Sequence, residues 1–163
     1  MTRAKIVKMT EEHLDMEALR EAGVLLRNGG LAAFPTETVY GLGGNALDPE
    51  ASRKIYQAKG RPSDNPLIVH IADMEHLAPI VREIPASALA LAKACWPGPL
   101  TMIFWKSPLV PYETTGGLDS VAVRMPESRI ARELIRQAGG YVAAPSANTS
   151  GRPSPTLAEH VVE

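Results

Sequence analysis

Apolar side chains recur along the chain at two spacings, and these spacings alternate. Helical segments, with apolar positions three or four residues apart or with a proline start signal, are predicted at 15–28, 49–58, near 73–82, 85–95, 127–140 and 156–163. Short alternating or continuous apolar runs predict strands at 4–9, 31–35, 67–71, 99–106, 120–126 and 141–145. Strands that alternate with helices in this way indicate an α/β fold with a mixed sheet flanked by helices.

Glycine, proline and asparagine mark the connections between these elements. The stretches 36–46, 59–66 and 146–155 are predicted to be loops or bends. We expect a single domain over residues 1–163, a length that suits one hydrophobic core. The last helix, for which Thr156 is the predicted N-cap, stops after about two turns. This abrupt stop predicts a C-terminally truncated or N-terminal piece of a longer protein.

Composition and charge exclude few functions, but they limit the cellular location and the kinds of partner that we expect. The 17 basic and 18 acidic side chains give a net charge of −1, which offers no bulk attraction for nucleic acid or a membrane surface. One cysteine, Cys95, cannot form an internal disulfide, and no apolar run approaches the ~20 residues of a membrane span. The N-terminus has no signal-peptide pattern. These features predict a cytoplasmic protein that does not bind a membrane.

Polar residues that suit an anionic ligand lie next to several predicted strands. They are Thr36, Thr38, Lys59, Arg61, Asn65, Arg124, Ser146 and Asn148. Glu37 is the only obvious carboxylate among them. In open α/β sheets ligands usually lie at the carboxyl ends of strands, where arginine binds carboxylate or phosphate through paired hydrogen bonds. This inventory predicts a site for a phosphate- or carboxylate-bearing ligand.

Each of these residues also has a purely structural interpretation. Lys59 and Arg61 could be a solvated helix end, and Arg124 could extend its charge from a strand end into water. His70, inside an apolar strand, is more often a hydrogen-bonded core histidine than a ligand contact. Other site types have weaker support. The stretch GLGGNA (41–46) opens no helix, so it argues against a dinucleotide site, and the sequence contains no phosphate-loop or zinc motif and no clear catalytic nucleophile.

Five stretches resemble one known family. FPTETVYGLGGNA, KGRPSDNPLIVHI, WPGPLT, VAVRMP and APSANTSGRPSPT are similar, in order, to the YrdC-like threonylcarbamoyl-AMP synthases. The resemblance implies a twisted mixed sheet with a large, concave, positively charged cavity. It also implies a reaction in which L-threonine, bicarbonate or CO2, and ATP give threonylcarbamoyl-AMP and pyrophosphate. The product would pass to the machinery that makes N6-threonylcarbamoyladenosine in tRNA.

The resemblance also assigns roles. Lys59 and Arg61 would be catalytic and bind the ATP phosphates, with Asn65, Ser120, Asn148 and Thr156 also on the nucleotide side. Thr38, His70, Arg124 and Ser146 would bind L-threonine. Mg²⁺ would ride on the phosphates, because no carboxylate cluster is present to hold a metal. Nucleotidyl transfer of this kind needs positioning and charge neutralisation more than a protein nucleophile.

Two other functions remain open at this stage. The same positive cavity could bind double-stranded RNA without catalysis, although the near-zero net charge and the lack of a basic stripe count against it. The chain could also be a paralogue of the same fold with a different carbamoyl or acyl acceptor.

Overall fold

A computed structural model describes residues 3–162 and contains one six-stranded sheet. The strands are β1 (Ala32–Phe34), β2 (Gly41–Asn45), β3 (Ile68–His70), β4 (Thr101–Trp105), β5 (Ser120–Arg124) and β6 (Val142–Ala143). Their order across the sheet is β1-β2-β6-β3-β5-β4. The pair β3–β5 is parallel and the other neighbouring pairs are antiparallel, so the predicted mixed sheet is confirmed.

Helices flank the sheet. They are α1 (Met16–Arg27), α2 (Pro49–Lys59), α3 (Ala86–Cys95), α4 (Tyr112–Thr115), α5 (Arg129–Gln137) and α6 (Glu159–Val162). Two short 3₁₀ turns, Met74–His76 and Ala78–Ile80, follow β3. Within residues 3–162, none of the helices has the length and apolar character needed to cross a bilayer.

The buried apolar residues form two clusters on opposite faces of the sheet. Val142 and Ala143 are consecutive in β6, and successive strand residues point to opposite faces. Ala143 packs in the cluster that contains Val69 and Val123, whereas Val142 packs with Phe34 and with residues of α1 and α5. That second cluster does not extend to β4, where the outer side chains Ile103 and Trp105 are 73% and 59% exposed. One end of this face is therefore open.

The local sequence explains where α2 begins and ends. Asp48 caps the helix by accepting a hydrogen bond from the Glu50 N–H at 3.0 Å, and Pro49 takes the first turn, where no N–H is needed. Gly60 ends the helix in the left-handed conformation, with φ 59°, which glycine adopts without a steric penalty. Lys59 is thereby the final helical residue, directly before the 60–66 bend.

Four sequence predictions about elements are wrong. Residues 4–9 form no strand; they lie on the surface, and no strand within residues 3–162 pairs with them. The glycine-rich segment 41–45 is the strand β2 rather than a loop. The helix predicted near 73–82 is replaced by the two 3₁₀ turns. Thr156 is not an N-cap, since α6 begins three residues later.

Candidate functional site

Arg124 and His70 lie side by side at the carboxyl ends of two parallel strands. They are direct register partners in the β3–β5 pair, and both are buried. Because β3 and β5 run in the same direction, their last residues meet at one edge of the sheet, where ligands of α/β proteins usually bind. The structure therefore brings these two predicted L-threonine contacts together.

All three guanidinium nitrogens of Arg124 have a protein partner. Nε donates to the carbonyl of Gly98 at 3.2 Å and Nη1 donates to the Thr38 hydroxyl at 3.3 Å. Nη2 forms an ion pair with Glu37. Burial lowers the pKa of Arg124, but an arginine side chain keeps its charge in proteins. The interpretation in which this head group reaches into water is wrong, because the side chain is covered and held on three sides.

Glu37 joins two segments of the chain. One carboxylate oxygen pairs with Arg124, and the other accepts the backbone N–H of Glu127, which lies just after β5. Sequence reasoning noted this carboxylate but gave it no partner. Of its two partners, Arg124 was itself a candidate ligand contact, whereas the Glu127 N–H is a backbone group that every residue except proline carries, so no side-chain signal could have indicated it.

The hydroxyls of Thr36 and Thr38 extend the contacts of Arg124. Thr36 donates to the Val39 carbonyl at 2.6 Å, and the two threonine oxygens lie 3.0 Å apart. Since the Thr36 proton is used on Val39, Thr38 donates to Thr36 and accepts from Arg124. A directional chain of hydrogen bonds thus runs from Arg124 into the 36–40 loop.

His70 is held as a neutral ring. Its Nδ1 lies 3.1 Å from the Ile68 carbonyl, and its ring packs edge-on against Phe34 at a centroid distance of 6.3 Å. Burial lowers the pKa of His70 to about 4. Because a carbonyl can only accept, Nδ1 carries the proton and Nε2 is left as an acceptor. The core interpretation of His70 is correct as far as its burial is concerned, and the acceptor at Nε2 remains available for a ligand.

Lys59 is a buried cation and not a solvated helix end. Its Nζ donates to the carbonyl of Ser146, and the residue is 3% exposed. Burial, followed by the nearby charge of Arg61, lowers the pKa of Lys59 to about 8. The Lys59 carbonyl in turn accepts the Ser150 N–H at 2.9 Å. The end of α2 is therefore docked on the loop that follows β6.

The bend after α2 is closed by Arg61. This half-buried side chain donates from Nε to the Asn65 carbonyl at 3.3 Å and from Nη2 to the Pro66 carbonyl at 2.9 Å. Asn65 contributes its backbone to this arrangement while the residue itself is exposed. Arg61 is thus aligned by its own loop, and carbonyl contacts leave its positive charge without a carboxylate partner among the residues described.

Asn148 contributes an unpaired acceptor to the loop that carries Ser146. Its Nδ2 donates to the carbonyls of Thr149 at 3.0 Å and Arg152 at 2.8 Å. Its Oδ1 is buried and accepts no hydrogen bond from residues 3–162. Buried polar atoms normally have a partner, so this oxygen is a place where a ligand group could donate.

Backbone pairing joins the residues around Arg124 (Glu37, Thr38 and His70; the Arg124 group) to those around Lys59 (Arg61, Ser146 and Asn148; the Lys59 group). Ser146 forms a bridge with Gly41, and the Ala147 N–H donates to the Tyr40 carbonyl at 2.8 Å. The 36–40 loop therefore contacts Arg124 at one point and the 145–147 segment at another. One predicted residue lies outside these contacts: Ser120 is at the other end of β5, about 13 Å from Arg124 along the strand. Thr156 is exposed, but it follows Pro155, whose carbonyl accepts the Tyr40 N–H at 2.8 Å.

The remaining candidate features lie away from these two groups. A surface hollow of about 650 Å³ runs along β4 and is lined by Trp105, Leu91 and Ser120, but by none of the predicted cations. In the described part of the chain, Asp73, Glu75 and His76 form a group with the spacing of metal ligands. Both carboxylate oxygens of Asp73 already bind Arg136, at 2.9 and 3.1 Å, so this group offers no free set of ligands.

Sequence comparison matches most of this chain to one protein family. The family model Sua5_yciO_yrdC, described as telomere recombination, matches residues 24–163. A threonylcarbamoyl-AMP synthase of Pyrococcus abyssi is 55% identical over 97% of this chain, which spans 46% of that protein. One of Methylococcus capsulatus is 40% identical, with 85% of this chain covering 75% of it.

A solved structure extends this likeness to three dimensions. The crystal structure of Pyrococcus abyssi Sua5 complexed with L-threonine matches with a TM-score of 0.90 and 56% identity, over 91% of this chain and 44% of that one. The chain thus spans about half the length of the Pyrococcus relatives that it matches.

Proposed function

The chain belongs to the Sua5/YciO/YrdC family, and from this premise we propose that it makes threonylcarbamoyl-AMP from L-threonine, bicarbonate or CO2, and ATP. One observation supports this most: the 36–40 loop contacts Arg124 through Thr38 and the 145–147 segment, which holds Lys59, through Tyr40. An amino-acid contact and a phosphate contact would then adjoin, as a condensation of the two substrates requires.

The Arg124 group would take L-threonine. Arg124 supplies the charge for the α-carboxylate, and Ser146 and Thr38 supply polar contacts. His70 is neutral at physiological pH, so its free Nε2 can accept a hydrogen bond from the threonine hydroxyl. A neutral acceptor here would favour a hydroxyl-bearing side chain over an apolar one of similar size.

The Lys59 group would take ATP. Lys59 and Arg61 would neutralise the phosphates, and Asn65, Asn148 and Thr156 would contact the rest of the nucleotide; Ser120, at the far end of β5, is not included. Lys59 and Arg61 donate only to backbone carbonyls, which a triphosphate can replace without leaving a protein charge unpaired. Mg²⁺ would arrive on the phosphates, because Glu37, the carboxylate of this region, is already engaged by Arg124 and Glu127.

The proposed reaction has two steps, which join the ligands of the Arg124 group and the Lys59 group. The threonine amine adds to CO2 and loses a proton to give a carbamate. A carbamate oxygen then attacks the α-phosphorus of ATP; a new P–O bond forms, the bond to the β-phosphate oxygen breaks, and pyrophosphate leaves. This route needs alignment and charge neutralisation rather than a covalent enzyme intermediate. In the cytoplasm, the adenylate would pass to the enzymes that modify tRNA.

The proposal is tested by measuring pyrophosphate release from ATP by the 163-residue chain. Release should require both L-threonine and bicarbonate, and the adenylate should appear in equal amount by mass spectrometry. Pyrophosphate release that is indifferent to threonine would contradict the proposal. Omission of each substrate in turn is the internal control.

A further inference from the structure

Glu37 is a charged side chain in the site to which the proposed reaction gives no task. It is not one of the proposed substrate contacts, yet it binds the side chain that would hold the threonine carboxylate. Its own side chain is 21% exposed and that of Arg124 is 11% exposed, so the ion pair is largely removed from solvent. Charge pairs in such surroundings are stronger and more geometrically defined than surface pairs.

We propose that Glu37 is a positioning residue for the amino-acid substrate, an inference that rests on the proposed function. Its two oxygens connect the Arg124 guanidinium to the Glu127 N–H, while Gly98 holds the guanidinium at Nε. The Gly98 N–H in turn donates to the Met125 carbonyl at 2.8 Å. Arg124 is therefore held by three backbone segments, those of residues 37–38, Gly98 and Glu127. Glu37 supplies the only carboxylate among these contacts.

The donor count favours a Glu37 that stays in place when the substrate binds. A guanidinium has five N–H donors. Gly98 uses the one on Nε and Thr38 uses one of the two on Nη1, while Nη2 pairs with Glu37 and has no exposed surface. The second N–H of Nη1 is thus the donor that Arg124 keeps for an α-carboxylate while Glu37 stays in place.

The competing arrangement is a plug, in which Glu37 occupies the place of the substrate carboxylate and must leave. Leaving would break two contacts at once, the ion pair with Arg124 and the hydrogen bond from Glu127. The two arrangements predict opposite signs when the carboxylate is neutralised. Loss of a positioning residue weakens threonine binding, whereas loss of a plug strengthens it.

Glu37→Gln is the sharpest substitution because glutamine has the same shape but only one acceptor oxygen. The amide nitrogen must then face a donor, either Arg124 or the Glu127 N–H, so one of the two contacts is lost. We expect the Kd for L-threonine, measured by calorimetry, to rise about tenfold or more. The Kd for a non-hydrolysable ATP analogue should change less than about twofold, which a general folding defect would not allow.

The matched control is Glu133→Gln. Glu133 also pairs with an arginine, Arg136, but both residues belong to α5 and neither contacts Arg124, so this variant should bind both ligands as the wild type does. If the glutamine variant at position 37 does not fold, Glu37→Asp replaces it, since the shorter side chain cannot span both partners.

Three results would overturn the inference. An unchanged threonine Kd would show that Glu37 has no positioning role, and a lower one would identify it as a plug. Equal loss of both ligands would indicate a structural role alone. Absence of threonine binding in the wild type would overturn the proposed function itself, a result distinct from any of these.

Discussion

The ammonium group of Lys59 donates to the carbonyl of Ser146, so the last residue of α2 is bonded directly to the loop that follows β6. These two positions lie 87 residues apart in sequence. The bond places a buried positive charge beside the segment that also carries Asn148 and its unpaired oxygen. This contact joins the two motifs that the proposed site combines.

Binding of ATP should depend on pH through Lys59. Burial holds its pKa at about 8, so the protonated fraction falls from about nine tenths at pH 7 to about one tenth at pH 9. Only the protonated form attracts phosphate. The Kd for an ATP analogue should therefore rise by several-fold over this interval, as followed by calorimetry in matched buffers.

The control for this prediction is Lys59→Arg, whose guanidinium stays charged throughout. Whatever the affinity of this variant at pH 7, its Kd for the ATP analogue should not change between pH 7 and pH 9. A wild-type profile that is equally flat up to pH 9 would show that Lys59 does not contribute its charge to the nucleotide.

His70 should make the fold sensitive to mild acid. Its pKa is about 4 in the folded chain and about 6.5 when unfolded, so between these values the unfolded chain binds the proton and the folded chain does not. Stability is therefore lost as pH falls from about 6.5 towards 4. At pH 5 the loss from this one group is about 2 kcal/mol.

Urea unfolding at pH 7 and pH 5 measures this effect. His70→Asn should remove most of the pH-dependent loss, whereas the same substitution at His13, which is exposed, should leave it in place. If the wild type and the His70 variant lose the same stability on acidification, the neutral, buried histidine is not the cause.

Gly23 should be intolerant of a methyl group although it lies in a helix. Alanine is favoured over glycine in helices by about 1 kcal/mol. A Cβ at Gly23, however, would lie 2.5 Å from the backbone carbon, the backbone oxygen and the Cβ of Gln137 at the end of α5. Such an overlap costs about 1–3 kcal/mol, because backbone atoms cannot turn aside as a flexible side chain can.

We expect overlap to outweigh propensity, so that Gly23→Ala lowers the free energy of unfolding by up to about 2 kcal/mol in urea titrations. Val24→Ala, on the exposed side of the same helix, serves as the comparison and should change stability much less. A Gly23→Ala variant that is more stable than the wild type would mean that α1 and α5 do not pack as closely as described.

Sequence patterns predicted well the elements whose own residues determine them. The helix α5 has a capping serine, Ser128, and apolar positions at helical spacing, so it could be found without knowledge of its neighbours. The strand β2 could not, because glycine disfavours strands. Its glycines are explained by packing: a Cβ at Gly43 would lie 2.7 Å from the Phe34 ring and 2.8 Å from Val142.

The opposite error occurred at the N-terminus. Residues 4–9 alternate like a strand, but Ile6 is 58% exposed and, in the part of the chain that the structure describes, no strand pairs with the segment. Alternating hydrophobicity is a property of a single segment, whereas a β-strand forms only when a second strand pairs with it. For the proposed site, residue types and motif order predicted roles for Arg124 and Lys59. Their backbone partners, Gly98 and Ser146, became visible only once the chain was folded.

We propose that Arg124 receives the amino acid and Lys59 receives the triphosphate within one connected site. Calorimetry of L-threonine and of a non-hydrolysable ATP analogue on the wild type, Arg124→Lys and Lys59→Ala tests it most directly. We predict a crossed pattern: Arg124→Lys loses threonine binding by about tenfold or more and keeps the analogue, whereas Lys59→Ala loses the analogue and keeps threonine. If both variants bind both ligands as the wild type does, neither Arg124 nor Lys59 is a ligand contact.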